Sequence, residues 1–299
     1  YNVAVGYNAG NDITTGVSNS IVGGLAGDAL TVGGFNVVMG RSALSTDVAG
    51  SKSTAIGFGT LRAQTFSGAT DTLNTAVGFE AGNDITSGIN NVIIGALTGD
   101  ALSDADNNVA VGQSALTTDT KGNKSTAVGH SALEAQNFTS STNTFNTGIG
   151  SDAGKAIQTG VKNTIIGSSA GDNITTGAEN TIVGYNSGTV VGGGSNTILG
   201  SENSNSSTSV TNEIIIGRAA TGSGTSTFTI GIGDTDVQIS IDGSDTSWSA
   251  TSDERLKHNI NTLGIGLDFI NEIRPVSYEW KEKKDVDESL GRYYEKDST

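Results

Sequence analysis

NTAVGFEAGNDITSGIN, residues 74–90, is followed without a break by NVIIGALTGDALSDADN, residues 91–107. Both stretches open on Asn, run through three strand-forming residues to a Gly, and then turn polar and glycine-rich. A small residue stands three places after the closing glycine in many such units, as at Ala9, Ala43, Ala81, Ala115, Ala153 and Ala170. Self-similarity at a fixed period is the signature of a repeat architecture, so the period decides the fold.

The period is 17 residues with a regular exception. NVAVG (2–6), NSIVG (19–23), NVVMG (36–40) and STAIG (53–57) are spaced by 17; a step of 21 then leads to NTAVG (74–78). The same four-unit block recurs through STAVG (125–129) to NTGIG (146–150), so Gly6, Gly78 and Gly150 lie 72 apart. NTIIG (163–167), NTIVG (180–184), NTILG (196–200) and EIIIG (213–217) complete thirteen units, with one step of 16. Ten units begin with Asn (2, 19, 36, 74, 91, 108, 146, 163, 180 and 196); Ser53, Ser125 and Glu213 take its place in the others.

Such a unit has a direct physical reading. Its Val- and Ile-rich core favours a short strand. The following glycine permits a turn that a side chain would obstruct. A second segment accepts only small residues on its packed face, and a Gly/Asn/Thr turn closes the coil. Seventeen residues are too few for a helix pair and suit one turn of a parallel β-solenoid, or β-roll, an all-β fold. Equivalent asparagines then stack as a ladder or occupy left-handed turn positions, a structural role that outweighs direct ligand binding. The four extra residues, near AQTFSGATDTLN (63–74) and AQNFTSSTNTFN (135–146), bulge from one side of the coil.

The totals agree. The chain has 299 residues, with 34% hydrophobic and 5% aromatic, little for a large globular core. Stacked repeats, or association with further copies, bury small side chains efficiently. A net charge of -15 argues against nucleic acid as a partner. No run of 18 apolar residues crosses a membrane. The absence of cysteine excludes disulfides and thiolate metal sites. The sequence opens at Tyr1 inside a repeat and without a signal peptide, as a fragment of a longer protein would.

The style changes twice. After the solenoid region (1–222), TFTIGIGDTDVQISIDGSDTSW (227–248) alternates apolar and polar residues. It reads as two strands joined near Gly233 and Asp234, a β-rich neck over 223–251 with Trp248 capping its core. Residues 252–299 then carry 19 charges in 48 residues. There LGIGLDFINEIRP (263–275) has a helical apolar face of Leu263, Leu267, Ile270 and Ile273 ended by Pro275, and VSYEW alternates like a strand. A short α+β segment is expected.

Two resemblances add to this reading. The Asn-led units, over roughly residues 1–217, resemble the head repeats of trimeric autotransporter adhesins, and similar repeats occur in tail fibres of bacterial viruses. That likeness implies left-handed parallel β-rolls in which three chains each bury one apolar face. SDERLKHNI (252–260) followed by LDFINEIRPVSYEWK (267–281) resembles the start of the intramolecular chaperone domain of bacteriophage tailspikes and tail fibres. It implies assembly of three chains and self-cleavage beside Ser252, with Lys257 as the second member of a Ser–Lys dyad. The Ser252 hydroxyl needs a base, which Lys257 supplies if desolvation leaves it neutral, whereas Asp253 and Glu254 favour its protonated form. Ser252 before two acids is equally a good helix N-cap, and the two roles are compatible.

Other chemistry is thin. His130 and His258 lie far apart, and no metal cluster or His-based triad is evident. GGGS (192–195) lacks the lysine of a phosphate loop, and GNDIT (10–14 and 82–86) lacks the Asp/Gly density of a calcium repeat. No cofactor and no metal are expected, nor an enzyme acting on external substrates beyond a one-time self-cleavage. The expected function is a homotrimeric virion appendage, an extracellular tail fibre attaching to a host-surface glycan or protein receptor and joined to other virion tail proteins. It involves neither nucleic acid nor membrane insertion. The alternatives are a bacterial trimeric surface adhesin, whose usual coiled-coil stalk and barrel strands the sequence does not show, and a glycan-depolymerising tailspike. Ice binding by a Thr-rich face is more remote.

Overall fold

The computed structural model of the chain describes residues 1–250, apart from 189–191, 234 and 245–248. The repeat cores form strands of three residues, five in the last two units, and from the second unit on the middle position of the core faces inward. Ile21, Val38, Ala55, Ala76, Ile93, Ala110, Ala127, Ile165, Ile182, Ile198 and Ile215 are all fully buried, while their neighbours on either side face outward. That alternation is the period of two that any strand imposes.

The thirteen repeat strands, from Val3–Val5 to Ile214–Arg218, lie in order and parallel in one sheet. Pairing is in register, so equivalent residues stack: Thr75 pairs with Val92, Ala76 with Ile93 and Val77 with Ile94. The architecture is the all-β parallel solenoid expected, with no helix among the described residues. Thr227–Ile232 adds a fourteenth parallel rung, Ile230 opposite Ile216, although the 17-residue rhythm has ended there. Parallel pairing constrains only the strand, so the ladder survives a shortened return path. Thr235–Ser240 folds back antiparallel on that rung as the alternating pattern suggested, and Ser249–Ala250 pairs with it in turn. Trp248 lies outside the described residues.

The glycine ending each strand is obligatory. Gly78 has φ +144°, and a Cβ there would lie 2.2 Å from the carbonyl oxygen of Gly95 on the next rung. The asparagines form the expected ladder. Asn74 Oδ1 accepts the backbone N–H of Asn91 at 3.0 Å, and Asn91 Nδ2 donates to the Ala105 carbonyl at 2.8 Å, closing its own coil. These side chains are buried, so they satisfy backbone groups and present nothing to a ligand. The left-handed backbone falls one residue earlier than expected, at Ser18, Phe35, Asn90, Asn107 and Lys162.

The core is filled in two ways. Counting from the first residue of a unit, the ninth has positive φ in the first eleven units, from Gly10 to Gly188. In six turns it is glycine and the twelfth residue is Ile or Leu, as in Gly82 with Ile85, Gly99 with Leu102 and Gly154 with Ile157. The Ile85 Cδ1 sits 3.0 Å from where a Gly82 Cβ would be, occupying space the glycine vacates. In the last two turns of each 72-residue block the ninth residue is a buried leucine (44, 61, 116 or 133), and the twelfth is polar: Asp47, Gln64, Asp119 or Gln136.

Candidate association face and loop anchors

The outward side of the sheet is built from the second and fourth residues of each unit. The fourth is apolar on every rung: Val5, Val22, Met39, Ile56, Val77, Ile94, Val111, Val128, Ile149, Ile166, Val183, Leu199, Ile216 and Ile230. In-register pairing stacks them into one column. Strand spacing of about 4.8 Å makes the column roughly 62 Å long. It stays open along its length: Met39 is 50% exposed, Ile94 39% and Ile216 37%. Beside it runs the second position, with Thr at 126, 147, 164, 181 and 197 on five successive rungs. The apolar column alone covers on the order of 300 Å², the size of the largest apolar patches monomers leave exposed, with the threonine column as its polar flank. Large contiguous apolar patches mark association surfaces.

A second feature lies at the 21-residue turns. Each adds a short outer ladder, Gly50–Ser51 with Thr70–Asp71 and Gly122–Asn123 with Thr142–Asn143. Beneath each is a buried polar cluster. Asp47 Oδ2 accepts from Gln64 Nε2 at 2.6 Å, and its Oδ1 accepts the N–H groups of Gly50 (3.1 Å) and Phe66 (3.2 Å). Gln64 Nε2 also reaches Ser53 Oγ, and Gln64 Oε1 accepts from Asn74 Nδ2 at 2.9 Å. Gln64 thus bridges the gap that Ser53, lacking an amide, leaves in the asparagine ladder. Burial pushes the Asp47 carboxyl up, and its hydrogen-bond donors, Gln64 and the backbone of Gly50, Phe66 and Ala49, oppose that shift. The second block repeats the arrangement with Asp119, Gln136, Ser125, Phe138 and Asn146.

Ser252 and Lys257, the expected processing dyad, lie outside the described residues. His130 is an exposed corner residue whose carbonyl accepts the Asp152 N–H. GNDIT places Ile13 against the core in the first block and a fully buried Ile85 in the second, with Asp12 and Asp84 exposed. Among the described residues no three metal-ligating side chains cluster, and no helix is long and apolar enough to cross a membrane.

Residues 252–292 match the family described as chaperone of endosialidase. The match supports a C-terminal chaperone segment of the kind found on phage tail fibres and tailspikes, and a domain of this type implies trimer assembly. No curated protein and no solved structure matches the chain. Reading the sequence by its strands did not single out Asp47, Gln64, Asp119 and Gln136. Their signal was available: in the two complete 72-residue blocks, aligned unit against unit, a polar residue stands at the twelfth place only where the ninth is leucine.

Proposed function

We propose that the chain is part of a homotrimeric tail fibre of a bacterial virus, assembled by its C-terminal segment and serving host-surface attachment from the virion. The observation that carries this is the pairing of an unbroken, outward-facing apolar column with a chaperone-type segment that follows it in the sequence. A rod of in-register repeats has a specific folding hazard. A shift by one unit places an equivalent residue on every rung, so neighbouring copies have little in their strands to tell register. A clamp that aligns three chains at one end removes that degeneracy. The outward column is the surface the copies then bury against one another. Once they are assembled, Ser252 Oγ attacks the carbonyl of Thr251 while a neutral Lys257 takes the hydroxyl proton. The Thr251–Ser252 C–N bond then breaks as the Lys257 ammonium protonates the departing Ser252 amine, and water hydrolyses the resulting ester to a Thr251 carboxylate and the free Ser252 hydroxyl, releasing the segment.

Intact mass and oligomeric state, measured on the chain with its native C-terminal continuation, test this. The parent is expected to form a trimer and lose the segment at Ser252, with Ser252→Ala and Lys257→Ala remaining trimeric and uncut. Val111→Asp and Ile166→Asp, each placing a charge on the column, should give monomers. A monomeric parent, or trimers unaffected by both column substitutions, would overturn the assembly reading. A trimeric parent left uncut would remove only the self-cleavage.

A further inference from the structure

We propose that the two 21-residue turns are preformed recognition loops, and that the second, with its tip at residues 139–143, takes a neutral, hydroxyl-rich saccharide. The inference rests on the attachment reading and specifies where and to what the fibre binds.

The first support is what the anchors cost. Burying a carboxylate without a cation beside it is unfavourable, and the coil does not need one: turns with Ile or Leu at the twelfth place close with an apolar core. Asp47 and Asp119 occur only in the turns that lead into a 21-residue unit. Asp119 accepts the N–H of Phe138 (3.1 Å), the residue at the loop's base, and Gln136 holds that carboxylate in place. At the far end Thr144 Oγ1 meets Ser125 Oγ at 2.6 Å and donates to the Asn123 carbonyl at 3.0 Å. Both ends of the loop are thus tied to buried groups. Holding a loop in one conformation before contact lowers the entropy cost of binding.

The second support is internal comparison. Between the two loops the tied positions are identical: Gln64 and Gln136, Phe66 and Phe138, Thr70 and Thr142, Thr72 and Thr144, Asn74 and Asn146. The positions between them differ: Ser67-Gly68-Ala69 against Thr139-Ser140-Ser141, Asp71 against Asn143, Leu73 against Phe145. A fixed frame carrying a varied, exposed tip is the arrangement of a binding loop.

Chemistry then selects the ligand. The second tip, Thr139, Ser140, Ser141 and Asn143, offers hydroxyl and amide groups and no charge. Beside it Phe145 is 51% exposed, with Lys124 5.3 Å from its ring centroid. Hydroxyl and amide donors next to an aromatic ring suit a neutral sugar, and a chain of net charge -15 repels a polyanion. Four rungs separate the loops, about 19 Å along the rod, so both tips can engage one polysaccharide strand.

The test applies the trimeric full chain to an array of neutral and acidic oligosaccharides and to intact bacterial envelopes. It compares the parent with a tip variant (Thr139→Ala, Ser140→Ala and Asn143→Ala together, keeping Ser141, whose Oγ accepts from the buried Asn123 amide at 3.0 Å) and with Gln136→Leu. Expected is retention of the parent on neutral glycans and at least a roughly tenfold loss in the tip variant at unchanged thermal stability, as several hydrogen bonds vanish. Gln136→Leu should show the same loss with faster hydrogen exchange at the Phe138 amide. Preference for acidic glycans, no retention on neutral ones, or full retention of the tip variant overturns the inference. Envelope adsorption separates the two readings: equal adsorption by parent and tip variant defeats the loop alone, and none by the parent defeats attachment as well.

Discussion

Gly82 with Ile85 and Leu116 with Asp119 occupy the same two places in the coil, on nearly the same backbone: φ is +58° at Gly82 and +52° at Leu116. In the first pair the twelfth residue fills the core and the ninth surrenders its side chain. In the second the ninth fills it, although leucine in a left-handed conformation costs about 1–2 kcal/mol. The volume is conserved and its source exchanged. The exchange frees the twelfth side chain to be polar, and this happens only beside the long turns. A repeat can therefore carry a buried anchor without losing its core, provided the apolar bulk arrives from elsewhere.

What the two kinds of turn share should be least tolerant of change. Gly112 ends a strand at φ +129°, and a Cβ there would lie 2.4 Å from the Gly129 carbonyl oxygen. Gly112→Ala is expected to destabilise by more than about 4 kcal/mol or to prevent folding, read by urea unfolding and circular dichroism. A mild effect would mean that the rungs separate easily, and the frame would not be common to both turns.

The exchange itself is open to a double-mutant cycle. Ile85→Ala should cost about 2–5 kcal/mol, as for other buried aliphatic truncations. Gly82→Leu alone forces a side chain against Ile85 Cδ1, Leu61 Cδ2 and Ile93 Cδ1, all within 3.2 Å of the added Cβ. Together the two substitutions imitate the other kind of turn, and the double variant should be more stable than the sum of the singles by about 1–3 kcal/mol. Additivity would show that the two places do not share one volume. Next in size is Gln136→Leu, which strips the Asp119 carboxylate and the Asn146 amide of a partner. A loss of about 1–3 kcal/mol is expected, with exchange accelerated at the loop rather than along the sheet.

The division between what the sequence disclosed and what it did not follows the same line. The strands, their glycines, the asparagine ladder and the hairpin at 227–240 were legible because each rests on local chemistry repeated many times. The fourteenth rung was not, since Phe228-Thr229-Ile230 keeps the strand while breaking the period by which strands were found. The left-handed residue before each asparagine escaped notice because Phe35 and Lys162 carry none of the usual turn composition. The anchors escaped because Asp47 and Gln64 lie 17 residues apart and meet only when one coil closes on the next. Of the candidate sites, the dyad was read from a motif alone, whereas the loops were visible as the four extra residues but not as anchored structures.

The smallest expected effect concerns pH, and it sharpens the contrast between anchor and surface. Desolvation is the largest influence on Asp47 and raises its carboxyl above the ordinary 3.8. Between the ordinary and the raised value the folded protein holds a proton that the unfolded chain has lost. Stability attributable to Asp47 therefore falls as pH rises through that interval and is regained on acidification. Surface Asp152 has the opposite sign: its neighbour Lys155 lowers its pKa, so its contribution is present above 3.8 and disappears below it. Its exposure keeps that contribution slight. Thermal midpoints of the parent and of Asp47→Asn, compared from pH 7 to pH 4, isolate the contribution of Asp47, since asparagine does not titrate. The parent should gain on the variant as pH falls, and the Phe66 amide should stay protected. A parent that loses ground instead would mean that Gln64 and the Gly50 and Phe66 amides bind the carboxylate strongly enough to outweigh desolvation, and the anchor would then open in acid while the apolar turns held.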